Sequence, residues 1–284
     1  MCQTSQVVAR RKRKVFAASG FHRKLRMKSR IRSANQAISM NASSASSPID
    51  NKLIDDKSID YKKYPRPRSR HHVSPNQYMA RERIAFDPLY YPPLYDRVLW
   101  HEQFANSSAP QFLDIGCGMG KFLLETALAT PEKNILGLEV REYAVNWIQS
   151  VISGERAGGR LGNAAALWYS VPNGLGFLET ASIEKIFYFF PDPWFKKRHQ
   201  FKRAFTPQFL DECARVLRPD GILYLMTDVP EVDVVQREML REHGVFEAEE
   251  CRNDAVWGLP AKTDQELFSL KKNIPYVRVL CRKY

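Results

Sequence analysis

Gln111 to Glu139 spells a strand, a glycine loop, a helix and a second strand with almost nothing between them. The apolar run Gln111 to Ile115 ends in Gly116-Cys117-Gly118-Met119-Gly120. Lys121 to Ala129 carries apolar residues at helical spacing, Pro131 stops it, and Ile135 to Glu139 is apolar again. The rhythm continues along the chain. Arg141 to Ile152 reads as a helix closed by Gly154, and Leu161 to Trp168 as a third strand diluted by Gly162, Asn163 and three alanines. Ile183 to Phe190 is the fourth strand. Thr206 caps a helix with Pro207 in its first turn that runs to Val216, before Pro219-Asp220-Gly221. Ile222 to Thr227 is the fifth strand, Glu231 to His243 a further helix, and Val245 to Glu249 and Tyr276 to Cys281 are late strands. This alternation predicts an α/β fold: a doubly wound, mostly parallel sheet with helices on both faces.

The loop chemistry narrows the ligand. Lys121 stands where a dinucleotide fingerprint, Gly-x-Gly-x-x-Gly, carries its last glycine. Asp114 precedes the loop, and a carboxylate beside a pyrophosphate is repulsive. It suits an amine instead. Glu139 ends the second strand, 25 residues after Asp114, where it can hydrogen-bond ribose hydroxyls. An acidic loop with a ribose-binding acid fits S-adenosylmethionine, which carries an amine, a sulfonium and a ribose.

A second feature follows the fourth strand: Phe189-Phe190-Pro191-Asp192-Pro193-Trp194-Phe195-Lys196-Lys197-Arg198-His199. Proline fixes φ, removes a donor and holds the residue before it extended. Asp192 therefore belongs in a stiff loop at the carboxyl end of a strand, the edge where open α/β sheets bind ligands. An aromatic plane and five basic side chains (Lys196, Lys197, Arg198, Lys202, Arg203) follow it and suit a polyanionic substrate with a reacting base. A surface turn leading into a solvated basic helix is the plainer reading. Trp194 or Phe195 either stacks on a base or braces the loop.

Asp114-Ile115-Gly116-Cys117-Gly118-Met119-Gly120, Gly137-Leu138-Glu139-Val140 and Phe190-Pro191-Asp192-Pro193-Trp194 together resemble the tRNA (guanine-N(7)-)-methyltransferases. Thr227-Asp228 and Thr263-Asp264-Gln265-Glu266 fit the same family, and the resemblance covers roughly Pro67 to Tyr284. Arg68 to Pro75 is similar to the N-terminal segment of cyanobacterial and plastid members. The resemblance implies a class I S-adenosylmethionine-dependent methyltransferase fold and methylation of a guanine N(7) in tRNA, at a variable-loop guanine. It implies cofactor contacts from Asp114, Gly116, Glu139, Val140, Arg141, Asn163 and Ala164, with Asp192 as the catalytic aspartate. Lys196, Asp228, Thr263 and Glu266 fall on its substrate positions, and Arg198, Lys202 and Arg203 on its RNA-contacting run. Phe201 and Ala204 depart from that run, and Asn163 stands where many bacterial members carry an acid. Without the resemblance, Thr263 and Glu266 read as a helix capping box.

The net charge of +12 looks like a nucleic-acid signature until it is divided along the chain. Residues 1–49 hold eleven of the 43 Lys/Arg and none of the 31 Asp/Glu, so the rest is close to neutral and any RNA footprint is local. Such a clump is Lys62 to His72, held extended by Pro65 and Pro67. Residues 1–47, basic and then Ser/Ala-rich, read as a transit-peptide-like leader addressed to the chloroplast. A mitochondrial address, a nuclear signal at Arg10 to Lys14 or an RNA-binding arm of a cytoplasmic protein are its rivals. Residues 48–66 read as linker and 67–284 as the methyltransferase domain. Five scattered cysteines without a Cys-x-x-Cys pair, and six histidines without His-Glu-x-x-His spacing, predict neither disulfides nor a metal site. No apolar run reaches the ~20 residues of a membrane helix. Two rival functions stand beside the expected one: an amino-group methyltransferase with a related Asp-Pro loop, and a non-catalytic RNA-binding protein on the same fold. Oligomeric state is not legible.

Overall fold

The computed structural model describes residues 58–68, 73–194 and 202–284. The leader assigned to residues 1–47 and the basic residues Lys196, Lys197 and Arg198 lie outside the described residues. Seven strands form one sheet: β1 (Phe112–Ile115), β2 (Ile135–Glu139), β3 (Ala164–Trp168), β4 (Ile183–Phe189), β5 (Leu217–Thr227), β6 (Phe246–Glu250) and β7 (Val277–Lys283). Their order is β3-β2-β1-β4-β5-β7-β6. The first five run parallel, and β7 lies antiparallel between β5 and β6. The helices are α1 (Trp100–Gln103), α2 (Lys121–Ala129), α3 (Glu142–Arg156), α4 (Pro207–Val216), α5 (Pro230–His243), α6 (Asp254–Trp257) and α7 (Asp264–Lys272).

The period of two along each strand separates two cores. Leu113, Ile115, Leu136 and Ile186 point to one face and pack with Phe209, Leu210 and Cys213 of α4 and Leu240 of α5. Phe112, Ile135, Phe187 and Tyr224 point to the other and meet Phe122 to Leu124 of α2 and Trp147, Ile148 and Val151 of α3. This is the doubly wound arrangement expected. β1 lies between β2 and β4, so the chain reverses its strand order there and leaves a crevice at their carboxyl ends.

Three expectations change. β3 begins at Ala164 rather than Leu161, because Leu161 takes a left-handed turn at φ +54°. β5 reaches back to Leu217: that residue pairs with Ile183, and a register shift absorbs Pro219-Asp220-Gly221 before Ile222 pairs with Lys185. Residues 58–66 are not a linker. Ile59 is buried, the Tyr61 ring stacks on Trp147 at 6.1 Å, and Tyr64 donates to Glu155 at 2.9 Å. The Trp147 indole N–H donates to the Tyr64 carbonyl at 3.0 Å. The polar composition of this stretch hid two tyrosines that dock on the outer side of α3.

Gly120 is the tightest joint between loop and helix. It caps α2 at φ +72°, and an added Cβ would lie 2.7 Å from Cγ1 of Ile148. Gly120→Ala is expected to lower unfolding free energy by about 2–4 kcal/mol, combining backbone strain with overpacking. A lower urea midpoint at unchanged slope checks it.

Candidate functional site at the carboxyl edge of the sheet

Gly116, Gly118 and Gly120 all have φ between +62° and +74°, a conformation that side chains with a Cβ resist. The loop bends back over the end of β2, where Gly116 N–H donates to the Leu138 carbonyl at 2.8 Å. Glu139, 4% exposed, fastens it: Gly118 N–H donates to Oε2 at 2.8 Å, and Arg141 N–H to Oε1 at 3.0 Å. The Arg141 guanidinium adds Nε to Oε1 at 2.8 Å and Nη2 to Oε2 at 3.1 Å. Burial works against the Arg141 charge, but these bonds outweigh it and push its pKa up. The end of β3 is tied in as well, through Trp168 Nε1 donating to the Val140 carbonyl at 2.9 Å.

Asp114 sits behind the loop, 3% exposed, and its Oδ2 has no hydrogen-bond partner. Burial first, and the Glu139 charge second, push its carboxyl up to about 8. A buried acceptor left without a donor fits a ligand amine, and a carboxylate at the β2 tip fits a ribose. The chain's own donor set thus matches S-adenosylmethionine.

Asp192 stands exposed at the end of β4, between two residues in left-handed conformations, Phe190 at φ +47° and Trp194 at φ +42°. The surroundings hold that backbone. Phe190 N–H donates to the Met226 carbonyl at 2.7 Å, and Arg203 donates to the Pro193 and Trp194 carbonyls at 3.2 and 3.4 Å. The Trp194 ring meets Tyr78 edge-on at 5.2 Å, and Lys202 Nζ lies 4.2 Å from its centroid. Trp194 therefore braces the loop. Tyr78 lies near enough to Asp192 that burial and that charge push its hydroxyl up to about 12, so it stays a donor at neutral pH.

One cleft of about 270 Å³ joins these tips. Of the residues named from the sequence, Gly116, Glu139, Val140, Arg141, Asp192 and Lys202 line it, and Asp114 is not among its lining residues. Six further residues named from the sequence lie outside that lining. Asn163 and Ala164 are at the opposite, amino end of β3, where Asn163 Nδ2 donates to the carbonyls of Ala127, Thr130 and Lys133 at 2.9–3.0 Å. The residues on this side that reach the cleft are Tyr169, Ser170, Val171 and Pro172, just past the carboxyl end of β3. Arg203 turns to its own loop carbonyls and not into the cleft. Thr263 and Glu266 form a helix cap, Thr263 Oγ1 accepting from Glu266 N–H at 2.9 Å, and Glu266 is buried against the Tyr276 hydroxyl at 3.0 Å. Asp228 accepts from Gln265 at 2.9 Å and also lies outside the cleft lining. Sequence reasoning missed Gln77 and Tyr78, which line the cleft from a segment far away in sequence. Gln77 is fully buried, and its carbonyl accepts from Ser170 Oγ at 2.7 Å. Among the described residues no three His, Cys, Asp or Glu side chains cluster as a metal site, and no helix is long and apolar enough to cross a membrane.

A family model described as "Putative methyltransferase" matches residues 108–275. A tRNA (guanine-N(7)-)-methyltransferase of Synechococcus elongatus is 36% identical over 64% of this chain and 85% of its own length. One from Microcystis aeruginosa is 32% identical over 76% of this chain and 97% of its own. One from Zea mays is 30% identical over 66% and 74%.

The Asp114 carboxyl gives a stability signature. Its folded pKa lies above the ordinary carboxyl value of 3.8, so its contribution is full below that value and fades as pH rises toward about 8. Chemical denaturation of the ligand-free protein from pH 4 to 8 should show stability falling with pH through this group, and Asp114→Asn should flatten that fall.

Proposed function

The chain belongs to the tRNA (guanine-N(7)-)-methyltransferase family, and from that premise we propose how its cleft methylates N(7) of a tRNA guanine. The observation that carries the reading is one cleft lined by Gly116, Glu139 and Asp192, with the orphaned carboxyl oxygen of Asp114 two residues before Gly116. S-adenosylmethionine, when bound, supplies a methyl on a sulfonium that leaves as a neutral thioether while the guanine N(7) lone pair takes the carbon. N(7) carries no proton, so no side chain has to act as a base there. The chain's task is placement and charge.

Asp114 would hold the cofactor's amine with the carboxyl oxygen that has no partner inside the protein. Glu139 already accepts four hydrogen bonds, three from Arg141 and one from Gly118. It takes ribose hydroxyls by exchanging those of the Arg141 guanidinium, which makes Arg141 the residue that yields on binding. Asp192 accepts hydrogen bonds from the purine N–H groups and offsets the positive charge the guanine gains. The rigid backbone around it, pinned by Arg203 and Met226, keeps the carboxylate from relaxing away. Tyr78 and Lys202 stand at the mouth of the same cleft. The substrate is tRNA, and the variable-loop guanine is the base the family resemblance implies. Lys197, Arg198 and Lys202 track its phosphates, which sets affinity rather than sequence choice.

The acid-free, Ser-rich composition of residues 1–47 and the cyanobacterial relatives support a chloroplast address for the leader. Residues 67–284 are then the catalytic domain, with residues 58–66 docked on it.

Three measurements check this reading. Asp192→Ala should cut methyl transfer at least 10²-fold while calorimetric cofactor affinity stays within about threefold, a spread of less than 1 kcal/mol; equal loss of both would sink the division of labour. Replacing Lys197, Arg198 and Lys202 together should raise the tRNA Kd and flatten its salt slope by about 2–3. Residues 1–66 fused to a fluorescent protein should enter isolated chloroplasts and be left outside mitochondria.

A further inference from the structure

The Pro191-Asp192-Pro193 loop has an underside. Asp192 lines the cleft, and it also lines a second, small cavity of about 30 Å³ with Tyr188, Pro191, Pro193, Arg203 and Gln236. Gln236 comes from α5, is 3% exposed, and its Nε2 has no hydrogen-bond partner. A buried amide donor left unpaired is costly, and native folds rarely keep one without a use. The cavity exceeds the roughly 10–15 Å³ that one water requires. Both Gln236 and Asp192 line it.

We propose that Gln236 is a positioning residue for Asp192: its amide donates, through one water in this cavity, to the carboxylate from behind. The rest of the shell has other engagements. Arg203 is turned to the Pro193 and Trp194 carbonyls, and Lys202 lies on the Trp194 ring. Tyr78 faces Asp192 from the cleft side and Tyr188 from β4, with Glu139 and Arg141 also lining the cleft. Lys196 to His199 lie outside the described residues. Donation from Gln236 fixes which oxygen of Asp192 faces the purine. Gln236 touches neither cofactor nor base, so it acts only through Asp192. The inference rests on the catalytic reading above and adds a residue to it.

The test compares the full-length protein with Gln236→Leu, Gln236→Glu, Asp192→Asn and the Gln236→Leu/Asp192→Asn double variant, using unmodified tRNA and labelled cofactor. Gln236→Leu should lower kcat about tenfold and leave the cofactor KM within about twofold. Gln236→Glu, nearly the same shape, should lower kcat further, because it sets a like charge beneath Asp192; it carries the test if the leucine variant does not fold. On the Asp192→Asn background Gln236→Leu should add no further loss. The proposal is overturned if kcat stays unchanged in the Gln236 variants, or if the losses add in the double variant. If the parent protein makes no 7-methylguanosine, the catalytic reading falls instead; if the parent is active and the Gln236 variants match it, only this inference falls.

Discussion

Asp114 pairs across the sheet with Gly137 on one side and Phe187 on the other. Because β1, β2 and β4 run parallel in that register, their chains leave the sheet at the same edge. The glycine loop, Glu139 and Asp192 thus meet in one crevice although 78 residues separate Asp114 from Asp192. No contact between the loops themselves is needed to bring them together. The two cores on either face fix the register, since a slip of one residue would send Leu113 and Ile115 to the side that Phe112 occupies.

Within the crevice the three carboxylates are kept apart by environment. Glu139 is saturated by Gly118 and Arg141, so its charge is balanced inside the protein. Asp114 is buried and unpaired, and the protein favours its neutral form until a cation arrives. Asp192 is exposed on a loop whose backbone is held in two left-handed turns. A site that must gather a sulfonium donor and a base that becomes cationic has reason to hold negative charge in these three states. One carboxylate is paired with a guanidinium, one is buried without a partner, and one is exposed at the cleft.

The fold and the crevice were legible in local pattern. Strand–loop–helix spacing around Gly116 to Gly120 and the paired prolines at Asp192 each constrain the backbone by sterics alone, and the structure places both at the expected edge. What failed lay where local pattern is silent. Gly162-Asn163 followed by three alanines has little apolar contrast, so the start of β3 slid by three residues and Asn163 went to the wrong end of the strand. Gln77 and Tyr78 reach the cleft across more than ninety residues of chain, tied by Gln77 to Ser170, and nothing in a linear reading marks such a return. Thr263 and Glu266 were legible locally as a helix cap, and that cap is what their side chains form.

The account stands on a fixed carboxylate at the β4 tip that steers alkylation to a ring nitrogen needing no base. The most direct test incubates unmodified tRNA with the protein and S-adenosylmethionine carrying an isotopically labelled methyl, then digests to nucleosides for mass spectrometry. The account predicts label in 7-methylguanosine and in no other nucleoside. Label in an amino-methylated adenosine or guanosine, or in none, would contradict it.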